Sequence, residues 1–530
     1  MTEVPTERRI SSEAGLVARG SALNIIAMTL GYVLAFALTV VVSRWLRPRE
    51  AGVFFELIAL FMILNNTLEL GADTGLTRWI SRAEAVGELG DVRRIVVIAL
   101  APVVVFGVVA SAVVWAVAPQ LAHVFFHHAP SAASAAGDLR FVAPFIPLSA
   151  LSACILAGAR GFGRMWPYLA IEGFGKPVMR LGLVLGAVAG GWGLFGAVIG
   201  WSVPVALGLG IALLILLRII ATETAEKGHE PSSRPRRQLA GEFWRFAGPR
   251  GFAGVFQVVV TWLGILLVGA RLSTYDAGVY GAVSRLAMLG TFALEGTRLA
   301  ISPYLSALLA RRQMTAAADL FQSATRWLML ASWPLYVVFA IFPSVALEIF
   351  GHRYEGGAAA LVVLSVAMLV NVGTGNVTVV LLMGGKSSWN VLNTLSALLV
   401  NVVLNLVLLP HIGIVGAAVA LGASIIVDNV AAVVEVWWVL HLSPFGPGYA
   451  LVAGAAAGCF GVTGLVARLV LGETLPAAAA AVAAGLAVYV VVAYRTRSRL
   501  QLDELVTALR RGGVTSPAPK PGAKMEGRMA

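Results

Sequence analysis

The sequence predicts an all-α integral membrane protein of about 14 transmembrane helices, arranged as two pseudo-symmetric six-helix lobes followed by two further helices. Three observations carry this. The 530 residues are 58% hydrophobic and only 12% charged, with a mean hydropathy of +0.85, a composition that requires lipid rather than water as solvent. Fourteen apolar runs each reach the length of about 20 residues needed to cross hydrocarbon. Two stretches 226 residues apart read almost alike: Leu46-Arg47-Pro48-Arg49-Glu50-Ala51-Gly52-Val53-Phe54 and Leu272-Ser273-Thr274-Tyr275-Asp276-Ala277-Gly278-Val279-Tyr280. Each follows one apolar span and opens another. An internal repeat of this kind in a membrane chain marks a protein built from two related halves.

The spans lie near 22–42, 51–71, 95–118, 139–159, 168–190, 193–218, 246–269, 277–301, 327–350, 357–383, 389–410, 412–439, 448–470 and 475–494. The first is too long for a signal-peptide core and has no small-residue cleavage site after it, so the N-terminus is expected to stay on the mature protein. With a cytoplasmic N-terminus, 27 of the 39 Lys and Arg residues fall on the cytoplasmic side, which fits the positive-inside rule with both termini cytoplasmic. Only the first outer loop, with Arg44, Arg47 and Arg49, runs against this topology. The net charge of +12 therefore reads as topology and attraction to anionic lipid heads, not as a nucleic-acid surface.

The expected organisation is a cytoplasmic N-tail (1–21), an N-terminal six-helix lobe (22–221), a cytoplasmic linker (222–241), a C-terminal six-helix lobe (242–440), two extra transmembrane helices (441–495) and a cytoplasmic tail (496–530). The tail is rich in Gly, Pro and Lys beyond Gly512 and is expected to be disordered, with a short interfacial helix over 500–511 before it. Because each lobe holds six spans, both enter the membrane from the same side, and their pseudo-axis runs along the membrane normal.

Further pairs support the repeat. Gly161-Phe162-Gly163-Arg164 matches Gly384-Gly385-Lys386 at the end of the fourth span, and Gly193-Leu194-Phe195-Gly196-Ala197-Val198 matches Gly413-Ile414-Val415-Gly416-Ala417-Ala418 at the start of the sixth. The loops His123-Val124-Phe125-Phe126-His127-His128 and Leu347-Glu348-Ile349-Phe350-Gly351-His352 also correspond. Glu69 and Glu295, again 226 residues apart, occupy equivalent places, as do Asn24 and Arg250.

The segment 272–280, Phe246-Ala247-Gly248-Pro249, Ile349-Phe350-Gly351-His352-Arg353-Tyr354 with the Ala-rich 356–360, and Gly413 with Gly416-Ala417-Ala418 together resemble the polysaccharide/O-antigen (Wzx-type) flippases. That family belongs to the multidrug/oligosaccharidyl-lipid/polysaccharide (MOP) exporter superfamily, with the MurJ lipid II flippases and the MATE exporters. The resemblance covers roughly residues 15–495. It implies two six-helix bundles forming a V in the bacterial cytoplasmic (inner) membrane. It also implies export of an undecaprenyl-pyrophosphate-linked oligosaccharide, a cell-surface polysaccharide precursor, from the inner to the outer leaflet by alternating access. The expected partners are this lipid-linked sugar and membrane lipids, with a polysaccharide polymerase or glycosyltransferases beside them, and no nucleic acid. A MurJ-like lipid II flippase is the nearest alternative, and a MATE-like cation-coupled drug antiporter a further one. A membrane enzyme is disfavoured, because the longest outer loop, 119–138, carries Asp138 as its one acidic residue.

Charges within the spans point to the site. Glu56, Glu69, Glu172, Lys176, Arg180, Arg250, Arg285, Glu295, Arg298, Asp428 and Glu435 all sit where lipid is expected, and a charge at the bilayer centre costs about 2.5–3.5 kcal/mol even on the permissive insertion scale. They must face one another or a wet cavity. Arg250, Arg285, Arg298, Lys176 and Arg180 are the candidate phosphate ligands, since guanidinium forks match phosphate oxygens. The competing reading is structural pairing of these cations with Glu172, Glu69 and Glu295. Glu69, Glu295, Glu172 and Asp428 are candidates for ion pairing or for coupling to H+ or Na+. Asn371, Asn376, Asn390, Asn393, Asn401 and Asn405 offer hydrogen bonds to sugar hydroxyls or between helices. No cofactor or catalytic residue is expected. His123, His127 and His128 lack accompanying carboxylates, and Cys154 and Cys459 lie in apolar stretches, so no metal site or disulfide is expected. Trp437 and Trp438 read as interfacial anchors.

Overall fold

A computed structural model describes residues 28–126, 132–227 and 235–500. The first lobe comprises α1 (Met28–Trp45), α2 (Pro48–Glu69), α3 (Ala72–Val86), α4 (Val92–Ala116), α5 (Ala118–Phe125), α6 (Ala132–Val142), α7 (Phe145–Gly161), α8 (Trp166–Tyr168), α9 (Lys176–Ala189) and α10 (Gly193–Lys227). The second comprises α11 (Arg236–Arg271), α12 (Thr274–Ala287), α13 (Thr291–Ala310), α14 (Met314–Ile341), α15 (Pro343–Leu347), α16 (Ala358–Gly373), α17 (Val377–Met383), α18 (Ser387–Ile412) and α19 (Ile414–Leu440). Helices α20 (Tyr449–Ala456), α21 (Thr463–Leu471) and α22 (Leu475–Arg495) close the described chain. No strand occurs among the described residues.

Thirteen helices are long and apolar enough to cross a membrane, against the fourteen expected. The difference is the fifth span. Its backbone is helical without a break from Trp166 to Ala189, but it passes through a π-helical turn, Leu169–Gly175, and carries Glu172, Lys176 and Arg180. Charge, not length, sets it apart. The expected linker 222–241 is largely helical too: α10 runs on to Lys227 and α11 starts at Arg236, capped by the extended Pro235. The N-tail, the proposed helix over 501–511, His127, His128 and Asn24 lie outside the described residues.

The repeat predicted from sequence is present in the backbone. Pro48 opens α2 and Thr274 opens α12, in the same register of the matched motif. Gly163 and Gly385 both take a left-handed conformation, φ 68° and 79°, and the two turns bond alike: Gly163 N–H donates to Arg160 O and Arg164 N–H to Ala159 O, as Gly385 N–H does to Leu382 O and Lys386 N–H to Leu381 O. This is the cap that lets a helix end in a residue without a Cβ. Gly193 and Gly413, φ 58° and 60°, mark the next matched turn.

The lobes meet chiefly along α2, which packs on both α11 and α12. At the end of α2 far from the inter-lobe linker, Gly52 and Gly278 pack backbone against backbone: a side chain on Gly52 would run into the Thr274 carbonyl, and one on Gly278 into the Pro48 carbonyl. Arg44 of α1 reinforces this end, donating from Nε to Ile349 O at 2.7 Å and from Nη2 to Glu348 O at 3.2 Å. At the linker end Gly71 abuts Ala247 and Gly251 of α11. The interface is therefore closed at both ends. The final helices pack on α14: Tyr489 Oη donates to Leu330 O at 3.2 Å, and Arg468, paired with Glu473 at 2.7 Å, also donates to Ile341 O.

A candidate cationic site between the lobes

Between the two closed ends, polar side chains from both lobes converge. Tyr32 of α1 stacks on Phe292 of α13, ring centroids 4.4 Å apart. One turn beyond Phe292, Glu295 pairs with Arg298 at 2.6 Å. On the first lobe, the π-helical turn inserts one extra residue per turn, as such turns do at many functional sites. Glu172 within it accepts from Lys176 Nζ, while Ser152 Oγ of α7 lies 3.4 Å from the Glu172 carboxylate and 3.3 Å from Lys176 Nζ. Gly208 of α10 leaves the space that the Lys176 stem fills. Glu69 at the end of α2 accepts from Asn65 Nδ2 at 2.8 Å, and Arg160 lies over the Tyr168 ring at 4.9 Å. Glu172, Arg160, Glu69 and, from the other lobe, Glu295 all act electrostatically on the Tyr168 hydroxyl. The repeat-related Glu69 and Glu295 thus flank one locus.

The five candidate cations separate by what each touches. Lys176, 4% exposed, is committed to Glu172. Arg298 is paired with Glu295. Arg180 stays within the first lobe, donating from Nε to Trp201 O at 3.0 Å with its guanidinium 4.2 Å above the Trp201 ring. Arg285 lies 3.8 Å over Trp262. Arg250, exposed near the linker end of α11, lies 4.8 Å from the centre of the Phe246 ring, and Arg78 of α3 lies 4.0 Å from the same ring. Two guanidiniums from opposite lobes therefore share one phenyl face. Among the described residues, Arg78, Arg250 and Arg285 form no ion pair; contact through the π-face leaves the in-plane N–H donors open to oxygen. Sequence reading counted Arg78 as a loop charge, because the apolar run ends before it. The helical spacing of Arg78 and Arg82, four apart, was the available signal that the helix continues.

Asp428 belongs to a different setting. One of its oxygens is buried without a partner, and Glu435, on the same helix, is the charge that acts on it. Around it Asn429 donates to Asn371 Oδ1 at 3.0 Å and accepts from Thr374 Oγ1 at 2.8 Å, and Asn393 donates to Glu435 at 2.7 Å. Asn401 and Asn405 bond to each other and to Ser424. These asparagines link α16, α18 and α19. At the far end of the molecule Glu348, His352 and Glu355 hold potential metal-ligand atoms within 4.8 Å of one another on an exposed turn.

The family model described as polysaccharide biosynthesis protein matches residues 17–309, more than half of the chain. The chain belongs to this family. No curated protein matches it. Among solved structures it is similar to the lipid II flippase MurJ in an inward closed conformation, with a TM-score of 0.70 at 13% identity, covering 90% of this chain and 99% of that one. It is also similar to an inward-facing MATE multidrug resistance transporter of the MOP superfamily, with a TM-score of 0.61 at 15% identity over 79% of this chain and 97% of that one. The MATE transporter VcmN of Vibrio cholerae gives 0.57 at 15% identity over 81% and 98%. This member of the polysaccharide biosynthesis family is thus a multi-pass membrane protein with the MOP-superfamily fold.

Proposed function

We propose that this protein is a flippase that carries an undecaprenyl-pyrophosphate-linked oligosaccharide from the inner to the outer leaflet of the bacterial cytoplasmic membrane by alternating access. The observation that carries the reading is the Arg78–Phe246–Arg250 stack, in which each lobe contributes one guanidinium without a carboxylate partner. Two like charges held side by side favour an anion that can accept from both, and a diphosphate has oxygens enough for two guanidinium forks. Arg285 supplies a third such donor, and the paired Arg298 and Lys176 reach the headgroup only by exchanging their carboxylates for it.

A sugar headgroup left in hydrocarbon would lose several kcal/mol for each unsatisfied polar group. Parting the lobes at one end offers that head a polar wall while the polyprenyl tail remains in lipid. Because the two ends are closed by different contacts, Gly52 against Gly278 and Gly71 against Gly251, each can open while the other holds. An interior-negative potential favours outward movement of an anionic head by about 2.3 kcal/mol per charge per 100 mV.

The deciding experiment is deletion in the host followed by analysis of polyprenyl-linked intermediates. Build-up of a surface-polysaccharide precursor in the cytoplasmic leaflet supports the proposal. Build-up of lipid II assigns a MurJ-like role instead, and drug sensitivity without any build-up assigns an exporter.

A further inference from the structure

Glu56 stands apart from every group discussed above. It lies on α2 one turn from Gly52, on the face that the first lobe presents to the second. It is 0% exposed, and neither carboxyl oxygen has a hydrogen-bond partner. Its carboxyl lies flat against the backbone of Gly269 in α11, where any side chain would collide with it.

No charge compensates it. From α12, Tyr280 directs its hydroxyl to Ala417 O at 3.3 Å, Asp276 is held by Ser273 and Arg285 lies over Trp262. From α11, Arg271 is exposed at the helix end. From α6, Arg140 donates to Trp115 O, and Asp138 is a separate buried carboxyl; from α7, Arg160 lies over Tyr168. The charges of α4 and α10, Arg93, Arg94, Arg218 and Glu223, lie at the linker ends of those helices. On α2 itself Glu50 caps the Arg47 N–H and Glu69 bonds Asn65. None of these acts on Glu56, for which burial is the sole influence. An ionised carboxylate in such a place is prohibitively costly, so the group is buried only as the neutral acid.

We propose that Glu56 is a proton-binding site built into the lobe interface, such that the form closed at the far end holds one more proton than the form in which α2 has parted from α11 and α12. Closing takes that proton from water onto the Glu56 carboxylate; opening returns it. The sign follows from linkage: acid favours the closed form, and the open-to-closed ratio rises with pH, by up to about tenfold per pH unit where the group titrates. This is independent of the cargo, and its failure would leave the flippase reading untouched.

The test uses the full chain in liposomes without substrate, with Cys154 and Cys459 replaced by Ala and spin labels on cysteines at Arg49 and Arg353, both exposed at the far end. Pulsed electron spin resonance then gives the far-end distance distribution as a function of pH. The expected result is a longer-distance population that grows with pH in the parent protein and a closed, pH-independent distribution in Glu56→Gln. Glu56→Met repeats the measurement should the amide variant fail to fold. Gly269→Ala, whose methyl takes the place of the carboxyl, is expected to shift the parent toward the open form. A parent without pH response, or Gln and Met variants that retain it, overturns the assignment.

Discussion

Arg78, Arg250 and Arg285 are the side chains on which the transport reading rests, and their π-stacked geometry separates charge from shape. Alanine at Arg78 or Arg250 is expected to lower flipping of a lipid-linked sugar in liposomes at least tenfold, which corresponds to about 1.4 kcal/mol, with membrane levels unchanged. Lysine at either position keeps the charge but loses the planar fork, so an intermediate rate is expected; wild-type rates in all the alanine variants would remove these residues from the site. The Glu172–Lys176 pair calls for a different readout. Lys176→Met leaves a carboxylate without its cation and is expected to cost about 3–5 kcal/mol, while adding Glu172→Gln restores most of that loss; thermal unfolding in detergent measures both. Sequence reading placed the charge stripe on the fifth span correctly in the chain. It could not divide the stripe, because the partners of Lys176 and Arg180, Ser152 and Trp201, sit on other helices.

Helix ends record the duplication more faithfully than helix middles do. The paired caps at Gly163 and Gly385 were legible because a left-handed residue demands glycine, a local requirement that survives when packing changes. Alanine at Gly385 meets open space, so its expected cost is only the conformational strain of about 1 kcal/mol, seen as a small fall in melting temperature without a transport defect. Alanine at Gly52 is the opposite case: the helix tolerates it, but the methyl collides with the Thr274 carbonyl, and accessibility of far-end cysteines to a water-soluble reagent is expected to rise. The π-helical turn at Leu169–Gly175 was not legible. It inserts a residue without any proline or charge pattern to announce it, and its role shows only where Glu172, Ser152 and Lys176 meet.

At the scale of the whole molecule, Arg44 accounts for the one loop that opposed the positive-inside pattern: its guanidinium is committed to carbonyls of the other lobe. Cysteines at Arg44 and Ile349 are therefore expected to form a cross-link that stops transport and is reversed by a reductant; unimpaired transport in the cross-linked protein would show that this end need not open. Fold class, repeat and family were legible from hydropathy and spacing, since each depends on many residues acting alike. Which charges face which was not, since that depends on the rotation of each helix. The Gly52–Gly278 crossing adds a last consequence. The stretches most alike in the two halves are the ones that touch, each serving as the other's bearing surface. A bulkier residue on either side would have to be matched by a concession from its twin, so this short sequence is tied to its own copy while the remainder of each half is left free to drift.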